Sequence, residues 1–333
     1  MIDGANPVLV ELWRGDVLEC VHRGAAAVCR ADGTLVESWG DAARTVLPRS
    51  ACKMMQALPL VESGAADGAG LTDRQLALAC ASHNGAAIHT DLAASWLAGL
   101  GLTQDALRCG PQMPNDLEAR LSLECGAHAP GQIHNNCSGK HTGMLTFSAH
   151  LGAGPEYTDP GHPVQTAIRV ALAELADQEI TTWAIDGCSA PNFALSLSGL
   201  ATAAARFADP GALSCTRARA AERLTRAMMA HPELVAGEGR SCTAIMRAAK
   251  GQAAVKTGAE GVFVAILPGT GLGIALKIDD GATRASEAAV AALLARFGVF
   301  DRTHPVVAKY ADAPLLNRRE IDCGRIRAVA ALW

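Results

Sequence analysis

The order of its elements constrains this 333-residue chain more than any other feature: strand-like segments open it, helical periodicity fills the middle, and strand-like segments return near the end. Val8–Leu12, Ala25–Cys29 and Thr34–Ser38 read as strands, the last two joined through Asp32-Gly33, a pair suited to a hairpin turn. Val262–Leu267 and Leu272–Ile278 read as strands around Pro268-Gly269-Thr270-Gly271, ahead of a terminal helix over Ala285–Phe297. Helices are predicted over Thr72–Ala81 (Thr72 as N-cap), Leu92–Leu100, Pro163–Leu175 and Arg217–Ala230. Strands from the two ends need each other to bury their faces. The pattern therefore predicts an α+β fold, one antiparallel sheet flanked by helices, with a helical subregion at roughly 54–230. No repeat or linker divides the chain, and a single domain over 1–333 is expected.

Composition excludes several function classes. Half of the chain is hydrophobic, so a sizeable core can form and disorder is excluded. The net charge of −4 leaves no basic footprint for nucleic acid. No apolar run reaches the ~18 residues of a membrane span. The eleven cysteines include no C-x-x-C pair, and no signal-peptide pattern opens the chain, so a cytoplasmic location is expected. Lysine is scarce: only Lys53, Lys140, Lys250, Lys256, Lys277 and Lys309 occur among 29 basic residues.

Three of these lysines sit in polar motifs. Ser50-x-x-Lys53 follows Pro48 at the start of a predicted helix, where positions i and i+3 share a face. A desolvated lysine there can take the serine proton. Ser82-His83-Asn84 and Lys256-Thr257-Gly258 follow in chain order. Penicillin-recognising serine enzymes carry S-x-x-K, S-D-N and K-T-G in that order, here with His83 in place of Asp. The third polar stretch is His134-Asn135-Asn136-Cys137-Ser138-Gly139-Lys140-His141, a loop or helix start within an irregular region from Cys109 to Gly143. Cys188 lies in a second polar turn, Asp186 to Asn192. A Cys137–Cys188 metal site is one reading of the two thiols. Metal-bound water on His134, Cys137 and His141 is another. Gly269-Thr270-Gly271-Leu272-Gly273 imitates a dinucleotide loop, but a strand follows it, so it reads as a hairpin.

Together these stretches, with Leu78-Ala79-Cys80-Ala81-Ser82-His83 and Gly258-Ala259-Glu260-Gly261-Val262, resemble the Rhizobium-type L-asparaginases, the asparaginase II family, over about Asn6 to Arg327. The resemblance implies a serine β-lactamase/penicillin-binding-like fold, a homodimer, and hydrolysis of L-asparagine to L-aspartate and ammonia. It implies two Ser–Lys tandems, Ser50 with Lys53 and Ser82 with Lys256, and a metal site, usually zinc, on Cys137, Lys140 and Cys188. Arg49 is then a candidate clamp for the substrate carboxylate and Asp186 for its ammonium. Asn84 and Asn136 are candidate substrate-binding amides. A β-lactamase-like acyl hydrolase and a metal-water amidohydrolase are the alternatives.

Overall fold

A computed structural model describes residues 6–333. Its main sheet has eight antiparallel strands, and both ends of the chain contribute. The first are β1 (Val8–Arg14), β2 (Val17–Arg30) and β3 (Leu35–Trp39). Two short pairs lie outside the main sheet: β4 (Thr45–Val46) with β7 (Leu195–Ser196), and β5 (Trp183–Ile185) with β6 (Pro191–Phe193). The C-terminal strands are β8 (Ala254–Thr257), β9 (Val262–Leu267), β10 (Leu272–Ile278), β11 (Asp312–Leu316) and β12 (Asp322–Ala328). The order is β11-β12-β1-β2-β10-β9-β8, with β3 also on β2.

This is the antiparallel α+β architecture expected, and the strands β9 and β10 coincide with the predicted ones. Two features differ. β2 runs for 14 residues rather than five, because its first half pairs with β1 and its second half with β10. β11 and β12 close the sheet beside β1 and were not foreseen, their alternation being masked by Asp, Arg and Asn.

β8 and β9 are buried along their whole length and β10 nearly so, since helices cover both faces of the sheet. The helix Leu197–Ala208 lies on one face and Thr283–Arg296 packs against β9 and β10 as well. Gly273 permits the first contact: a Cβ there would stand 2.1 Å from Ala205 N and 2.2 Å from Ala201 O. Apart from Pro305–Ala311, which packs on Thr283–Arg296, the remaining α-helices gather between Lys53 and Ala249. At their centre runs Ser138–His150, packed against the helices Asp73–Ala79, Ala87–Gly99 and Pro163–Ala176. Thr72 caps Asp73–Ala79 through a capping box with Gln75, and that short helix ends at the Ser82 motif. Among the described residues no helix is long and apolar enough to cross a membrane.

Candidate active site

Ser50 stands in a 3-10 turn, Arg49–Cys52, that runs directly into the helix Lys53–Gln56. Arg49 is in the left-handed region, at φ 52°. For a residue with a Cβ this costs ~1–2 kcal/mol, and such conformers persist where surroundings enforce them. The end of β8 presses on the same turn. A Cβ on Gly258 would lie 2.7 Å from Pro48 O and 3.2 Å from Ala51 N, so glycine alone allows this approach. Among the described residues the backbone N–H groups of Ser50 and Ala259, on either side of that contact, have no acceptor. Ser50 itself is half-buried.

Both lysines meet at Ser82, not at Ser50. Lys53 Nζ donates to Ser82 Oγ at 2.8 Å, to Ala81 O at 2.5 Å and to Cys137 Sγ at 3.0 Å. Lys256 Nζ donates to Ser82 Oγ at 3.0 Å and to Thr257 O at 2.8 Å. Ser82 is held in place by its own N–H, which donates to Val235 O. Ser50 is not among the hydrogen-bond partners of Lys53, although the two share a turn. Lys53 and Lys256 are 1 % and 0 % exposed, so neither ammonium has water to fall back on. Burial, then the neighbouring Lys53 charge, pulls Lys256 down to about 7.

His83 and Asn84 turn away from this hydroxyl. His83 Nδ1 accepts from the Gly85 N–H at 3.2 Å, so its Nε2 carries the proton toward Ser138 Oγ, 3.0 Å away. Its ring stacks on His89, and burial, His89 and Lys53 keep it neutral, far below the usual histidine range. Asn84 Oδ1 accepts from Ala86 N–H, and the side chain packs against Gly237. Asn136 Oδ1 accepts from the Cys137 thiol at 3.0 Å.

Cys137, Lys140 and Cys188 come together. Lys140 Nζ is 3.0 Å from Cys188 Sγ, and both sulfurs act on its charge. The Cys137 thiol and then the Lys140 ammonium stabilise Cys188 as a thiolate against its burial, far below the usual thiol range. Burial works against the Lys140 ammonium, but the Cys188 and Cys137 sulfurs override it and hold the lysine protonated. Two sulfurs and an amine suit a borderline-soft divalent ion such as zinc, which must displace the Lys140 proton to gain the third ligand. Among the described residues no three His, Cys, Asp or Glu side chains could share an ion. The His134–Cys137–His141 alternative is thereby overturned. His134 Nδ1 accepts from Gly131 N–H, and His141 Nδ1 sits 2.8 Å from the Tyr157 hydroxyl. Helical spacing brought the three close in sequence, but His134 precedes the helix and points elsewhere.

Arg49 and Asp186 bond to each other, Nε to Oδ1 at 2.7 Å. Their side chains are 26 % and 12 % exposed, at the rim of the buried lysines. Glu260 lies 3.9 Å from the Arg49 guanidinium on its other side. Sequence reasoning singled out neither Glu260 nor Asn192, which holds the backbone of Arg49. Both sit in stretches marked by turn residues, and that was their only signal.

A search of curated protein sequences returns no relative. Among solved structures, Mglu in its tris and glutamate form is similar, at 17 % identity and a TM-score of 0.48. That match covers 88 % of this chain and 63 % of the other, so this chain spans under two thirds of its length. A β-lactamase from Mycobacterium bovis matches at 16 % identity and a TM-score of 0.47, over 82 % of this chain and 94 % of its own. The family profile described as L-asparaginase II covers residues 10–328, nearly the whole sequence. The chain belongs to the L-asparaginase II family.

Proposed function

We propose that the protein is an amidohydrolase that cleaves the side-chain amide of L-asparagine, giving L-aspartate and ammonia. The observation that carries this reading is the Ser82 hydroxyl held between two buried lysines, one of which, Lys53, lies one turn after the half-buried Ser50, itself preceded by the strained Arg49. Ser50 Oγ is the nucleophile. It forms a bond to the amide carbon while the amide oxygen gains charge. The free N–H groups of Ser50 and Ala259 are the donors for that oxyanion, an effect worth ~3–4 kcal/mol per donor in known cases.

Proton traffic runs through the lysines. As Lys53 takes up the Ser50 proton it passes one of its own through Ser82 Oγ to Lys256, the amine that burial pulls down to about 7 and so leaves partly neutral to receive it. Ser82 Oγ hands a proton to the departing nitrogen as the C–N bond breaks, and Lys256 resupplies it. Water, deprotonated by the same chain, cleaves the ester and frees aspartate. Arg49 orients the substrate carboxylate, and Asp186 and Glu260, already beside Arg49, orient its ammonium. Asn136, bonded to the Cys137 thiol, borders the same space.

Zinc held by Cys137, Lys140 and Cys188 supplies a fixed positive centre when bound. The same reading makes the enzyme a homodimer in a reducing, cytoplasmic setting, in keeping with eleven unpaired cysteines. The test is ammonia release from asparagine and from glutamine, side by side with nitrocefin. Turnover of asparagine is expected. Nitrocefin hydrolysis without ammonia release would replace the reading with a β-lactamase-like one.

A further inference from the structure

We propose that Asn192 is a positioning residue that holds the Ser50 turn in its reactive shape, an inference that rests on reading Ser50 as the nucleophile. Arg49 precedes Ser50 directly, so the dihedrals of Arg49 aim the serine side chain. Its φ of 52° is one that a residue with a Cβ leaves unless held. Three hydrogen bonds hold it. The Cys52 thiol donates to its carbonyl at 3.2 Å, from within the same turn. Asp186 takes the guanidinium at 2.7 Å, a bond at the end of a flexible side chain. Asn192 Oδ1 accepts from the Arg49 N–H at 3.1 Å. Of the three, only Asn192 both grips the backbone and comes from a distant part of the chain.

Asn192 is built for this. It is 3 % exposed and lies in β6, paired opposite Ala184 of β5. Between these strands runs the tight turn that carries Asp186, closed by Asp186 N–H to Ala190 O and by Ser189 at φ 68°. One small hairpin thus seizes Arg49 at backbone and side chain. Gly258 closes the opposite side of the turn against Pro48 and Ala51. Without the Asn192 acceptor the Arg49 N–H loses its partner. Arg49 then relaxes toward the right-handed region and swings Ser50 Oγ off its line of attack.

Two substitutions separate this from a general packing role. Asn192→Leu keeps the shape and removes the acceptor, whereas Asn192→Asp keeps an acceptor oxygen. Both are assayed for asparagine-dependent ammonia release with thermal midpoints measured alongside, and Ser50→Ala serves as reference. Asn192→Leu is expected to lower kcat by roughly 10- to 100-fold, the effect of an ångström-scale misplacement, with KM little changed. Asn192→Asp is expected to recover most of kcat. A folded Asn192→Leu variant with parental kcat, or an Asp variant no better than Leu, overturns the inference. Where Asn192→Leu does not fold, Asn192→Asp decides alone: near-parental kcat supports the role and a tenfold loss refutes it. The underlying reading fails separately, if Ser50→Ala keeps its activity. Should Ser50→Ala be inactive while Asn192→Leu turns over normally, only the role of Asn192 is lost.

Discussion

Ser50 and Ser82 occupy opposite environments within one site. Ser82 is buried and bonded to both Lys53 and Lys256. Ser50 is half-buried, has no lysine partner, and sits behind a strained arginine beside two free amides. A hydroxyl wired to two lysines is suited to passing protons. A half-buried hydroxyl bonded to neither lysine is suited to meeting a substrate. The contrast shows that the S-x-x-K spacing does not by itself pair its serine with its lysine. Lys53 leans away from Ser50 because Ala81 O, Ser82 and Cys137 together offer it three acceptors.

The sharpest way to break this division is to remove each hydroxyl in turn. Ser50→Ala is expected to lower kcat by about three orders of magnitude or more while the fold is kept. Ser82→Ala should keep a larger residue of activity. The reverse order, measured by ammonia release, would exchange the two roles.

The next largest effect concerns the lysines. Arginine keeps its charge at any working pH and cannot give up a proton. Lys53→Arg and Lys256→Arg are therefore expected to lose roughly 10²- to 10⁴-fold in kcat. Lys250→Arg and Lys309→Arg, both exposed, should keep the parental rate. Lys277 does not belong with those two, since its ammonium donates to Glu260 O and Ile278 O and so supports the Glu260 turn.

A smaller effect appears in stability. Lys256 titrates at about 7 when folded and near its ordinary value of 10.5 when unfolded. Between those values the unfolded chain binds the extra proton, so the folded state gains as pH rises. Cys52 and Cys80, pushed up to about 12 by burial, act in the opposite sense once unfolded thiols ionise near 9. The urea midpoint of the parent, compared with Lys256→Met, should therefore climb between pH 7 and 9. A flat difference would show that Lys256 is not depressed. The smallest change is expected from chelation: with zinc held by Cys137, Lys140 and Cys188 as proposed, a chelator should raise KM for asparagine more than it lowers kcat. Complete loss of activity would instead give the ion the leading part.

Legibility in the sequence followed periodicity. Leu272–Ile278 and Val262–Leu267 are apolar runs bounded by turn residues, and they were readable to the residue. Pro163–Ala176, with proline at its first position and one apolar stripe, was equally plain. Leu197–Ala208 was missed because most of its buried positions are alanine or glycine, which carry little periodic signal even though Ser198, Thr202 and Arg206 line one face. Among site residues, Lys53, Lys140 and Lys256 stood out because lysine is rare. Asn192 and Glu260 could not stand out, since their roles come from long-range bonds to Arg49.

The helix Ser138–His150 has a consequence for how the protein assembles. It is 13 residues long with eleven of them buried, yet it is polar at Ser138, Lys140, His141, Thr142 and Thr146 and has no apolar stripe. Helices this short are marginal alone, and an amphipathic face is what usually recruits them early. This one can gain its helical bonds only after its neighbours have closed around it. It is therefore expected to form late: conservative substitutions within it should give φ-values near zero in folding kinetics, with Cys137 and Lys140 reaching the site only once the scaffold that receives them stands.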